Sequence, residues 1–116
     1  MRDNKDIRKI EKIDNVTIVY NSYTPSKDEE INKYLYLNSI KIYDSFGNEL
    51  YGNYSDINEA YERLFYLIDR GVDAVIGPKA PVKDYSSGRL IPNYNQDSVG
   101  LYIVKEKQKR LVREKN

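Results

Sequence analysis

The sequence predicts an α+β domain of two layers: a mostly antiparallel β-sheet with one main amphipathic helix, at about 56–70, packed on one face. Three observations carry that expectation. Short runs rich in β-branched and aromatic residues recur along the chain and read as strands. One segment, "SDINEAYERLFYLIDRG", has the apolar spacing of a helix. Several strands precede that helix and two follow it, giving the order (α or β)-β-β-β-α-β-β. The 116 residues favour one domain, taken as 1–105. A basic charged tail at 106–116 then extends as a frayed helix or stays without structure.

Each element has its own reason. In 5–13, Ile7, Ile10 and Ile13 stand three apart among charges, which fits a short helix or an edge strand. "VTIVYNSY" (16–23) reads as a strand. "TPSKDEE" (24–30) reads as a loop, with Pro25 breaking the strand and Asp28 to Glu30 in a solvated turn. "NKYLYLNSIKIYD" (32–44) reads as a long strand that changes phase. Leu35 and Leu37 share one face while Ile40 and Ile42 fall on the other, so a β-bulge is expected near Asn38 and Ser39, or else two short strands with a turn. "DSFGNE" (44–49) is a hairpin turn, with Gly47 and Asn48 able to take positive φ, and "LYGNY" (50–54) is the returning strand.

The helix follows. Ile57, Ala60, Tyr61, Leu64, Phe65, Leu67 and Ile68 trace one broad apolar face. Ser55 or Asp56 can cap its start, Asp56 with Glu59 resembles a capping box, and Gly71 is the expected residue past its end. "VDAVI" (72–76) and "VGLYIVK" (99–105) read as strands, the latter with Val99, Leu101 and Ile103 on one face. After the first of these, "GPKAPVKDYSSGRLIPNYNQDSVG" (77–100) has no regular apolar period up to the second strand. Loops of that length are uncommon in small domains and are usually functional or disordered. The apolar and aromatic residues of "RLIPNY" favour an ordered excursion with a short strand near Arg89 to Ile91.

Composition narrows the function. The chain has no cysteine and no histidine. That excludes a disulfide scaffold, a thiolate nucleophile and a zinc-thiolate site, and removes the commonest general base. No apolar run approaches the 18 or so residues that span a bilayer, and Met1 to Asn15 has no signal-peptide core. A cytoplasmic protein without membrane partner is expected. Twelve tyrosines against two phenylalanines, with abundant Asn, Lys and Ile, suggest AT-rich coding and a bacterial, phage or other mobile-element source.

Chemistry is sparse. Ser86 and Ser87 have no histidine to activate them, and Lys79 or Lys83 would act as a base only if burial lowered its pKa. Acidic groups such as Asp28, Glu29 and Glu30, or Asp44 with Glu49, follow no specific metal pattern; Phe46 occupies what would be a ligand position in an EF-hand loop. The stretch from Gly77 lacks the order of a phosphate loop. No cofactor or metal is expected.

Binding is the better reading. Tyr85, Arg89, Leu90, Ile91 and Tyr94 have the residue types that anchor protein interfaces, so the first expectation is a non-enzymatic module of the inhibitor or adaptor kind that contacts a protein partner through this stretch. An exposed sheet edge also offers a route to a homodimer.

The second expectation rests on charge. Residues 34–70 hold three basic side chains and six acidic ones, whereas 77–116 hold nine basic and four acidic. Lys79, Lys83, Arg89, Lys105, Lys107, Lys109 and Arg110, interleaved with tyrosines, could bind single-stranded nucleic acid or RNA. The plainer account is that sheet tyrosines pack and lysine-rich tails solubilise, and the net charge is only +1. A histidine-free endoribonuclease working through Lys, Arg, Tyr and acidic groups ranks third.

Overall fold

A computed structural model describes residues 7–105. The elements are β1 (Ile7–Ile13), β2 (Val16–Asn21), α1 (Glu29–Asn38), β3 (Ile40–Tyr43), β4 (Glu49–Tyr54), α2 (Ile57–Asp69), β5 (Ala74–Gly77), β6 (Val82–Asp84), β7 (Arg89–Ile91) and β8 (Val99–Ile103). Six strands form one antiparallel sheet in the order β1-β2-β3-β4-β8-β5, and β6 pairs β7 in a separate two-stranded sheet. The antiparallel α+β class expected from the sequence is the class observed.

The ambiguous segment 5–13 is a strand where it is described. Asp14, at φ 54, turns the chain from β1 directly into β2. The long strand expected over 32–44 is instead a helix followed by a short strand. Asp28 caps α1, its carboxylate accepting from the N–H groups of Glu30 and Ile31, and Glu29 and Glu30 place negative charge in the first turn. The acidic run read as a solvated turn is therefore the helix start. The phase change at Asn38 and Ser39 is the junction between helix and strand: the N–H of Ser39 bonds back to Leu35 and Tyr36 carbonyls, and β3 begins at Ile40.

α2 matches its expectation within a residue at each end. Asp56 accepts from the N–H of Asn58, and Gly71 at φ 82 follows the last turn.

Alternation along β8 divides the core. Leu101 faces Leu64 and Leu67 of α2, with Tyr54, Val72, Ala74, Ile76 and Ile103 packed around them. Tyr102 points to the other face, where it joins Val16, Ile18, Leu37, Ile40, Ile42 and Ala80. α2 thus covers one face of the sheet, while α1 and the β6–β7 excursion cover the other. The tail 106–116 lies outside the described residues. No described helix is long and apolar enough to cross a membrane.

Candidate functional site

The stretch from Gly77 to Ser98 is folded, and three sets of bonds hold it to the sheet. Asn53 on β4 makes a two-way amide pair with Ala80: its Nδ2 donates to the Ala80 carbonyl at 2.8 Å, and its Oδ1 accepts from the Ala80 N–H at 2.9 Å. This mimics a strand pairing with a side chain. The buried Tyr102 hydroxyl donates to the Pro78 carbonyl, and burial pushes that phenol well above its ordinary range. At the far end Ser98 Oγ donates to the Tyr54 carbonyl at 3.1 Å and accepts from Asn93 Nδ2 at 3.0 Å.

Gly100 makes the crossing possible. A Cβ there would run into the Pro78 carbonyl and the Tyr102 ring.

The hairpin between these anchors docks on α1. Lys33 Nζ donates to the Ser86 carbonyl at 3.1 Å. Its stem lies where a side chain at Gly88 would sit, and Gly88 has φ +74, so both space and conformation require glycine there. Asp84 accepts from Ser86 through backbone and hydroxyl, which tightens the turn; hydrogen bonds from Ser87 and Ser86 hold its carboxyl below the usual range. Tyr85 packs on Tyr34 of α1 with ring centroids 6.0 Å apart.

Pairing parity sorts the side chains. Val82 faces Ile91, Lys83 faces Leu90, and Asp84 faces Arg89. Leu90 packs against the core, so Lys83 shares the inward side. Burial, aided by Lys41, holds the Lys83 ammonium below the ordinary lysine value, against the pull of Glu49. Arg89, Val82 and Ile91 stand on the outward side. Of the five residues expected to contact a protein, Leu90 thus packs partly buried against the core, whereas Tyr85, Arg89 and Ile91 line an outer face. Tyr94 stands 82% exposed beyond its open end.

Tyr34, 60% exposed, adds a ring to this face from α1, where a strand was expected. A cleft of about 120 Å³ lies at the base of this face, lined by Ile13, Lys79, Pro81, Pro92 and neighbours.

The basic residues do not converge. Lys105 Nζ is 2.7 Å from Glu49, which Lys41 approaches at 3.4 Å on the α2 side of the sheet. Burial pushes the Glu49 carboxyl up, but the Lys105 hydrogen bond and the charges of Lys41 and Lys105 outweigh it and leave the group below its usual range. Lys79 donates to the Asn95 carbonyl, and Lys83 turns inward. Lys107, Lys109 and Arg110 lie outside the described residues. Among the described residues no group of three or more acidic side chains stands ready to hold a metal ion.

A separate groove of about 440 Å³ runs beside α2, lined by Tyr54, Glu59, Glu62, Arg63 and Tyr66. Arg63 and Arg70 flank the Tyr66 ring, their guanidinium carbons 4.6 and 3.7 Å from its centroid. The neighbouring Glu59 and Glu62 leave this groove with mixed charge.

Compared with known proteins, the chain matches no protein-family model, no curated protein and no solved structure.

Proposed function

We propose that this chain is a non-enzymatic interaction module, of the inhibitor or adaptor kind, that binds a protein partner through the outer face of the β6–β7 hairpin and the adjoining side of α1. One observation carries the reading. A two-stranded excursion is anchored at both ends and along its back, yet its outward side presents Tyr34, Tyr85, Arg89 and Tyr94 to solvent. Tyrosine and arginine are the side chains that most often dominate interface energies, and a rigid support lowers the ordering cost of using them. The partner surface that fits supplies shallow pockets for tyrosine rings and a carboxylate for Arg89.

The test is a Tyr85→Ala, Arg89→Ala, Tyr94→Ala triple variant. It keeps the parent far-UV spectrum, because none of the three forms the core, and it loses the partner that the parent captures from its host. Capture of the same partner at undiminished strength would sink the reading. Nucleic-acid binding has less support, since the described cations are dispersed or already engaged by Glu49 and Asn95.

A further inference from the structure

The two edges of the main sheet are built differently. β1, at one edge, carries Arg8, Lys9, Glu11 and Lys12 among its seven residues. Charges of this kind protect an edge from unwanted pairing. β5, at the other edge, reads Ala-Val-Ile-Gly and carries none.

The surfaces on both sides of β5 are apolar and exposed. α2 sits over β4, β8 and β5, with Arg63 turned toward Tyr54 of β4 and with Leu64 and Leu67 facing down. At 100° per residue, Ile57, Tyr61, Phe65 and Ile68 fall on the opposite flank, toward β5 at the edge of the described sheet. All four are exposed, Phe65 at 58%, and the Tyr61 and Phe65 rings stack at 6.1 Å. On the other face, Phe46 at 75% exposure and the half-exposed Val75 line a groove of about 370 Å³ with Pro78 and Val104.

We infer that this edge is the interface of a homodimer in which β5 pairs antiparallel with β5 of a second copy. A two-fold axis normal to the sheet keeps both α2 helices on one face, where their apolar flanks meet side by side. It also pairs residues of like parity. With Val75 opposite its own copy, Ala74 stands opposite Ile76 of the second chain, and these are the residues whose backbone groups face outward, because the Val104–Asp73 bond sets those of Asp73, Val75 and Gly77 toward β8. Six side chains on the two faces offer roughly 500 to 600 Å² of surface per chain, if each gives about half of its full area. Adding the strand backbone brings this to the range of a modest but specific interface. The interface uses none of the hairpin residues assigned to the protein partner.

Sedimentation equilibrium of the whole chain tests the inference. At about 100 µM, where a dimer with a Kd in the micromolar range is mostly formed, the parent sediments at twice its 13.6 kDa chain mass. Phe65→Glu, which puts two carboxylates across the helix contact, and Val75→Lys, which charges the edge, each weaken dimerisation at least about tenfold with unchanged far-UV spectra. If Val75→Lys loses its spectrum, Phe65→Glu, whose ring is mostly in solvent, decides alone. A Tyr85→Ala, Tyr94→Ala variant stays dimeric, which separates this surface from the hairpin face. A monomeric parent would overturn the inference, and so would a dimer that Phe65→Glu leaves intact.

Discussion

Asn53→Ala is the substitution that most directly probes why the hairpin is held rather than loose. Asn53 is the only described side chain that bonds both backbone groups of Ala80, and Ala80 is 2% exposed. Removing the amide strands a buried N–H and a buried C=O together. A net hydrogen bond contributes about 1 kcal/mol, and an unsatisfied buried group costs about 1 to 3 kcal/mol. The expected loss is about 2 to 3 kcal/mol, short of the full penalty because the vacated space admits water. With a slope of about 1.5 kcal/mol/M, the urea midpoint falls by roughly 1 to 2 M.

Asn53→Asp sharpens the test. Its carboxylate can still accept from the Ala80 N–H but meets the Ala80 carbonyl oxygen with a second oxygen. Protonation restores a donor there, so the folded-state pKa of this carboxyl lies above its unfolded value of about 3.9. The folded state then binds the extra proton first, and stability falls as pH rises through the folded pKa. Asn53→Asp therefore recovers toward the parent on acidification, and Asn53→Ala does not. Urea titrations at neutral and acidic pH, with amide exchange at Ala80, read both effects. A variant Asn53→Ala within about 0.5 kcal/mol of the parent would refute the claim that this pair anchors the excursion.

Other consequences follow from the same contacts. Leu37 is fully buried between α1 and the sheet, so Leu37→Ala costs about 2 to 5 kcal/mol in chemical denaturation; a near-neutral result would contradict the placement of α1. Asp28→Ala removes the α1 cap and costs about 1 kcal/mol, read as a lower urea midpoint. Glu49, depressed by its two lysines, contributes stability that is present above its unfolded pKa and is lost as pH falls through the folded one; Glu49→Gln flattens that part of the acid limb. Lys83 behaves oppositely. Its lowered pKa makes the folded state release its proton first, so stability rises with pH up to the unfolded lysine value, and Lys83→Met abolishes the rise.

How much of this was legible in the sequence depended on what each pattern encodes. α2 was legible because capping residues and apolar spacing agree from Asp56 to Gly71. Its exposed apolar flank was not, because periodicity marks the whole apolar arc from Ile57 to Ile68 and only packing shows that Ala60, Leu64 and Leu67 take the buried half. α1 was missed because the alternation of Tyr34, Leu35, Tyr36 and Leu37 imitates a strand, while the deciding signal, Asp28 ahead of Glu29 and Glu30, reads equally well as a polar turn. The hairpin at 82–91 was half legible. "RLI" was recognised as a short strand, but its partner "VKD" has no β signature and is set by pairing and by the Asn53 and Lys33 contacts from distant parts of the chain. The inward packing of Leu90 was not legible for a related reason: the sequence cannot say which side of a three-residue strand faces inward.

A photoreactive amino acid at position 94, introduced into the chain in its native host, tests whether the hairpin face meets a protein partner. Tyr94 stands almost wholly in solvent at the end of the proposed contact face, so replacing it leaves the fold intact. Irradiation joins the chain to one distinct protein, and Arg89→Ala in the same background diminishes the yield. The same probe at Lys12, on the charged β1 edge, joins nothing specific. Equal labelling from both positions, or none from position 94, would contradict a partner at this face.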